Sequence, residues 1–361
     1  MLAKIDPPSL AALRSAFQQG NLTLYLGAGV SVGSGLPSWN QLVLAMYFTA
    51  VHSDWRARWR PYPNYLYAIA EWQLKRTHEP LEITARKIRQ FYTGDTEFLN
   101  DLKETLYAGF EAESGFWSRS NTPAQLRTGN PTLDGVAEVC AHTLLNGPGL
   151  MAVVTYNYDS LVEATTKSCA CKWKPIWKSA EVVKDGARPI IHVHGYIPAI
   201  GTGSPLEDVV FTEQQYHAAA HSPYSWSNLS QIQCLTSSVG LMVGLSLSDR
   251  NMRRLLDAVR VTPLHKQQFA ILERPRSEEP KARDLEKIHK SAIGYMNRFA
   301  KSGAKVKGSG RAEQMLDIFK ELNAFETANY TQMLEGLGIT PIWYSHGKHE
   351  EVGPLLRSIV T

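Results

Sequence analysis

Four stretches of this chain set polar side chains where an apolar run gives way to glycine or a turn. The first is Leu24-Tyr-Leu-Gly-Ala-Gly-Val-Ser-Val-Gly-Ser-Gly-Leu-Pro-Ser-Trp39. Glycines at 27 and 29 allow bare backbone to approach a pyrophosphate, and N–H groups at the start of a following helix can take up its charge. The spacing departs from the dinucleotide fingerprint, which wants a third glycine where Val32 stands. A tight turn uses the same glycines for purely structural reasons, so this stretch alone leaves both readings open.

The second stretch, Val153-Val-Thr-Tyr-Asn-Tyr-Asp-Ser-Leu-Val-Glu163, ends an apolar strand with Thr155, Asn157 and Asp159 at alternate positions. In extended backbone the three point the same way, at the carboxyl edge where open α/β sheets bind ligands. Asp159 also suits the cap of a following helix; capping does not account for Asn157. The third, Pro189-Ile-Ile-His-Val-His-Gly-Tyr196, puts His192 and His194 on one strand face, with Gly195 opening space beside them. Such a pair can bind metal, but no third ligand is near in sequence. One histidine as general base and the other as core is the better reading. The fourth, Val239-Gly-Leu-Met-Val-Gly-Leu-Ser-Leu-Ser-Asp-Arg-Asn251, ends a strand in Gly244 and Ser246, after which Ser248 or Asp249 can cap a helix.

The elements that must position these residues follow from hydropathy. Short, nearly continuous apolar runs occur at Leu22–Leu26, Ala152–Thr155, Pro189–Val193, Val209–Phe211, Val239–Val243, Phe269–Leu272 and Ile339–Tyr344. Strands buried on both faces of a parallel sheet have this pattern. Helical patterns fall between them, at Asn251–Val259 and His349–Ile359, and Pro8–Gln19 precedes the first. The expected fold is α/β: a Rossmann-like doubly wound parallel sheet with helical insertions. One domain over 1–361 is expected, with a helical insertion at 40–148 and a charged helical one at 274–337. The first insertion carries Trp55, Trp59, Tyr62, Tyr65, Tyr67, Trp72 and Tyr92, whose expected task is core packing. The second contains the Gly/Ser/Lys-rich segment 301–311, with the composition of a loop.

Composition narrows the classes. The 361 residues are 43% hydrophobic and 20% charged, and the net charge of +4 is too mild for a protein that coats nucleic acid. No nucleic-acid motif is evident. Cys140, Cys169, Cys171 and Cys234 make neither a disulfide framework nor a paired C-x-x-C zinc site. The start has few apolar residues and contains Pro7 and Pro8, and no apolar run nears the ~20 residues of a membrane span. A soluble, cytoplasmic protein is expected.

Taken together and in order, the stretches resemble the sirtuin superfamily. The resemblance runs through Gly27-Ala-Gly-Val-Ser31, Thr155-x-Asn-x-Asp159, His194-Gly195, Phe211-Thr212…Tyr216, Gly244-Leu-Ser246 and Gly338-Ile-Thr-Pro-Ile-Trp-Tyr344. It looks closest to bacterial sirtuin-like proteins of anti-phage defence. Deacylases of the superfamily carry a zinc module of two cysteine pairs, whereas here only Cys169 and Cys171 stand together; no zinc is expected. The resemblance implies an enzyme that cleaves the nicotinamide–ribose bond of NAD⁺ with water. Gly27, Ala28, Gly29 and Ser31 would hold the pyrophosphate and adenosine side, and Gly244 and Ser246 the adenine-proximal ribose or a phosphate. Thr155 and Gly195 would line the site, Asn157 and Asp159 would lie near the nicotinamide ribose, and His194 would act as base. Alternatives are an NAD⁺-dependent deacylase or ADP-ribosyltransferase, and a non-catalytic nucleotide-binding subunit of a defence complex. The resemblance also implies a homo-oligomer and a HerA-type hexameric ATPase or helicase as partner, since the chain has no G-x-x-x-x-G-K-[ST] loop.

Overall fold

A computed structural model of the chain describes residues 4–51, 64–77, 79–110, 129–144, 146–167, 169–179, 183, 186–275, 287 and 312–361. The backbone divides into two compact units, 1–273 with 337–361, and 274–336. In the first, α1 (Pro7–Gln18) starts on an Asp6 cap that accepts the Ser9 N–H at 3.0 Å. It stops before Gly20, whose φ of 67° closes the turn into β1 (Leu22–Leu26).

Between β1 and β2 (Leu150–Thr155) the described residues are helical: α2 (Trp39–Val51), α3 (Asn64–Thr77), α4 (Leu81–Gln90), α5 (Asp95–Tyr107) and α6 (Pro131–Ala141). Then come α7 (Leu161–Thr166), β3 (Trp173–Ile176), β4 (Arg188–His192), α8 (Glu213–His221), α9 (Trp226–Ser237), β5 (Val239–Val243), α10 (Arg250–Arg260) and β6 (Gln268–Glu273). The second unit contributes α11 (Ala312–Gly336), on which Ile318, Leu322 and Phe325 are exposed. The segment 301–311 lies outside the described residues. Finally β7 (Ile339–Tyr344) and α12 (Val352–Val360) complete the first unit.

The seven strands form one parallel sheet in the order β3-β4-β2-β1-β5-β6-β7. The chain starts in the middle, lays β2 beside β1, β3 at the far edge and β4 between them, then returns beside β1 with β5 and builds outward on the other side. That is a doubly wound α/β sheet, whose order reverses between β1 and β5. All five residues of β1, Leu-Thr-Leu-Tyr-Leu, are buried, so its polar positions mark no solvent face; the Thr23 hydroxyl pairs with that of Ser238 at 2.7 Å. Helices α1, α6, α7 and α12 pack together, and α8, α9 and α10 form a second group.

Register decides what the sheet presents. Leu26 is paired with Thr155 on one side and Val243 on the other, and Thr155 with His192. Four central strands therefore end in one row, and their following loops leave at one edge.

Two expectations need correction, and one strand was not expected. Val209–Phe211 is no strand: it is a short link after a 3-10 turn, and its Val210 N–H bonds the His194 carbonyl outside any ladder. The edge strand β3 carries Lys174 and Pro175 and is mostly half-buried, so it lacks the apolar run that marks the central strands. The insertion's aromatics do not all pack inward. Tyr92 is buried and Tyr67 packs partly, whereas Tyr65 and Trp72 are exposed, the latter under the Arg76 guanidinium at 5.0 Å. Trp55, Trp59 and Tyr62 lie outside the described residues.

Candidate active site

The glycine loop after β1 folds into two short 3-10 turns, Ala28–Val30 and Val32–Ser34, ended by Gly35 at φ 89°. The long helix expected directly after it begins only at Trp39. A Cβ on Gly27 would meet the Gly244 carbonyl at 2.5 Å, and one on Gly29 the Gly244 Cα at 2.8 Å. The loops after β1 and β5 thus touch backbone to backbone at the sheet's reversal point, and glycine is needed there for that approach. Gly27 N–H bonds Val243 O and Gly29 N–H bonds Gly244 O, both at 3.0 Å, while those of Val30 and Ser31 close the first turn. Most amides of this loop are therefore occupied within the chain.

Beside it the described strand-end residues gather. Asn157 follows the end of β2, and its N–H turns back onto Thr155 Oγ1 at 3.1 Å. Its Nδ2 donates to Gly27 O at 3.0 Å and to Ser31 Oγ at 3.2 Å. A backbone carbonyl can only accept, which fixes the amide's orientation: Oδ1 points away and accepts nothing from the described residues. Ser31 in turn donates to Asp159 Oδ2 at 2.8 Å, and Asp159 Oδ1 accepts the Leu161 N–H at 3.0 Å. Asp159 so serves both the helix start and the site. Burial raises its pKa above the ordinary carboxylate value, with the Leu161 amide and the Ser31 hydroxyl opposing.

The two histidines part company. β4 ends at His192, and the turn after it, with Gly195 at φ 99° against the backbone of Asp208 and Val209, sends His194 elsewhere. His192 is 1% exposed. Its Nδ1 lies 3.1 Å from Asn157 O and its Nε2 2.7 Å from Glu163 Oε1. It is the core histidine, and the expectation that both share one face fails because the strand stops between them. His194 stands edge-on to the rings of Tyr156 and Tyr216, at 5.1 and 5.7 Å between centroids. Its Nε2 faces Asp249 Oδ2 at 3.4 Å. Burial depresses the His194 pKa, and Asp249 pulls the other way.

Of the β5 loop, Gly244 takes φ 65° against the glycine loop. Ser246 is exposed, its hydroxyl 2.7 Å from that of Ser248. Buried Leu247 has φ 55°, a left-handed conformation that costs a non-glycine residue roughly 1–2 kcal/mol. Loop strain of this kind persists only where surrounding contacts over-determine it.

Sequence reasoning missed three supports. Asn130, the cap of α6, donates from Nδ2 to Val30 O at 2.8 Å and Ser34 Oγ at 2.9 Å. Tyr107 on α5 receives the Ser160 N–H and donates to Ile197 O. Asp249 was legible as a cap but not as the partner of His194. An Asn-Pro pair and an Asp after a strand were the available signals, and neither carries its long-range contact.

A family model described as SIR2-like domain matches residues 151–293. The match supports the sirtuin-like resemblance and a sirtuin-type function involving NAD⁺. It spans Asn157, Asp159, His192, His194, Gly244 and Asp249, and stops short of the glycine loop at 27–31. No curated protein matches the chain. Among the described residues no group of three or more His, Cys, Asp and Glu side chains is arranged for a metal, and the four cysteines are free. No described helix is long and apolar enough to cross a membrane.

Proposed function

We propose that the chain hydrolyses NAD⁺ to nicotinamide and ADP-ribose. The observation that carries this reading is the pairing, at one sheet edge, of Asn157, with its amide oxygen left over, and a buried His194. Nicotinamide leaves as a neutral group, so charge builds up on the ribose and little acid assistance is needed. Fixing the ribose and aligning a water are then the main demands. The Asn157 amide oxygen accepts from a ribose hydroxyl or from water. His194, held neutral near pH 7 by its burial, takes the proton that water gives up. Ser31 and Asp159 keep the Asn157 amide turned outward. The glycine loop and Gly244 offer a side-chain-free floor to the nucleotide, and Ser246 a hydroxyl at its rim.

The physiological setting we propose is NAD⁺ depletion in bacterial anti-phage defence, by a cytoplasmic homo-oligomer switched on by a HerA-type ATPase partner. An unregulated hydrolase of this kind would be toxic, which favours control from outside the chain. The test is nicotinamide release from NAD⁺ by purified protein, alone and with the ATPase. Release that disappears in His194→Ala, with the thermal melt unchanged, supports the reading; full activity in a folded His194→Ala protein ends it. Release only when an acyl-lysine peptide is supplied would instead favour the deacylase alternative.

A further inference from the structure

Asp249 performs two tasks with two oxygens. Oδ1 accepts the Met252 N–H at 2.6 Å and caps α10. Oδ2 is turned the other way, towards His194 Nε2 at 3.4 Å, and both side chains are largely buried. A cap needs one oxygen; nothing in α10 calls for the second. The loop that delivers it includes Leu247 in its left-handed conformation, and its other side-chain hydrogen bonds stay local, between Ser246 and Ser248. Among the described residues the groups that face His194 are Tyr156 from the β2 loop, Tyr216 from α8 and Asp249 from the β5 loop. Both tyrosines are held well above their ordinary pKa, chiefly by burial, and Asp249 is the one carboxyl group of the three.

We infer that Asp249 is the positioning residue of His194, fixing its Nε2–H tautomer from across the sheet edge so that Nδ1 presents the lone pair that accepts a proton. Nδ1 has no hydrogen bond to the described residues. The inference rests on the proposed hydrolysis for its catalytic meaning, but not for its geometry. At 3.4 Å the contact is longer than a settled hydrogen bond, and such contacts shorten when a site closes on its substrate. The dyad also couples two loops that leave different strands: β4 supplies the base, β5 its orienting carboxylate. A nucleotide seated over Gly244 would therefore press on the same loop that aligns the base.

Asp249→Asn separates the two tasks, because Asn caps a helix as well as Asp does but brings no charge and turns an N–H₂ or an oxygen to the ring. Asp249→Ser keeps the cap and loses the reach, and serves if the first variant misfolds. Two readouts are taken on full-length protein. The first is the ¹⁵N–¹H spectrum of the His194 ring, assigned with His194→Ala. Nε2–H is expected in the parent, with a mixed or inverted tautomer in the variants. The second is kcat and KM for nicotinamide release across pH. A fall in kcat of roughly tenfold or more is expected, with KM little changed and the acid limb moved to lower pH, since the anion that favours imidazolium is gone. An unchanged tautomer and an unmoved acid limb in a folded variant overturn the inference. A parent that releases no nicotinamide sinks the proposed function alone; the ring spectrum then decides the dyad by itself.

Discussion

The Ser31 hydroxyl donates to the Asp159 carboxylate at 2.8 Å across 128 residues of chain, while accepting from Asn157 Nδ2 at 3.2 Å. One serine thus welds the glycine loop to the end of β2. Without it the two loops would meet only through Asn157 and backbone, and Asp159 would keep a buried charge with one partner fewer.

Ser31→Ala should therefore cost more than a surface serine would. Leaving a buried carboxylate oxygen unsatisfied costs about 1–3 kcal/mol. A urea unfolding midpoint shifted by less than a surface Ser→Ala control would show that the bridge is ornamental. Nicotinamide release should fall as well, because the Asn157 amide loses one of the two acceptors that orient it.

Asp159 makes stability depend on pH with a definite sign. Its folded-state pKa is raised by burial, so the folded chain holds this proton more tightly than the unfolded chain does. Its stabilising contribution is full below the ordinary carboxylate range and is lost as pH rises through the raised value. The stability difference between parent and Asp159→Asn should accordingly shrink, or turn against the parent, as pH rises above the ordinary carboxylate value of about 4. A difference that stays constant as pH rises above that value would contradict the burial argument.

The sequence was most legible where burial is complete. β1 and β5 match the runs at Leu22–Leu26 and Val239–Val243 end for end, because strands covered on both faces carry few polar residues and no charged ones. Asn157 and His194 stood out as candidates because a polar group at the end of such a run has few other uses. The edge strand β3 was hidden by Lys174 and Pro175. That one of His192 and His194 belongs to the core was read from the sequence; the turn at Gly195 that parts their faces was not, being a backbone event that alternation cannot reveal. Asn130, Tyr107 and the second oxygen of Asp249 act through space over long separations, which no local pattern encodes.

His192 and Glu163 form a buried pair, and Glu163 Oε2 has no hydrogen-bond partner among the described residues. Removing one member leaves the other without its hydrogen-bond partner, at a cost of about 1–3 kcal/mol. Replacing both by apolar residues should recover much of that. We expect His192→Phe to lower the unfolding midpoint more than the double variant His192→Phe/Glu163→Leu. Equal losses would mean that the pair is not coupled. Any loss of activity in the double variant would trace to the Asn157 carbonyl, which His192 Nδ1 faces at 3.1 Å.

Asn130 offers the sharpest separation of a local from a long-range role. Its Oδ1 accepts the Leu133 N–H and caps α6, while its Nδ2 holds Val30 O and Ser34 Oγ of the glycine loop. Asn130→Asp keeps the cap, since the two residues are equivalent there, but replaces the donor with an oxygen facing the Val30 carbonyl. Asn130→Gly gives up the whole side chain and sacrifices the cap by only a few tenths of a kcal/mol. If the cap is what matters, Asp should be silent and Gly mildly destabilising. If the tether matters, Asp should be the worse of the two, by about 1–3 kcal/mol from repulsion and a lost donor, and NAD⁺ binding measured by calorimetry should weaken with it. We expect the second pattern: an oxygen set against a buried carbonyl is a larger fault than a missing side chain, and the loop it displaces is the floor on which the nucleotide would rest.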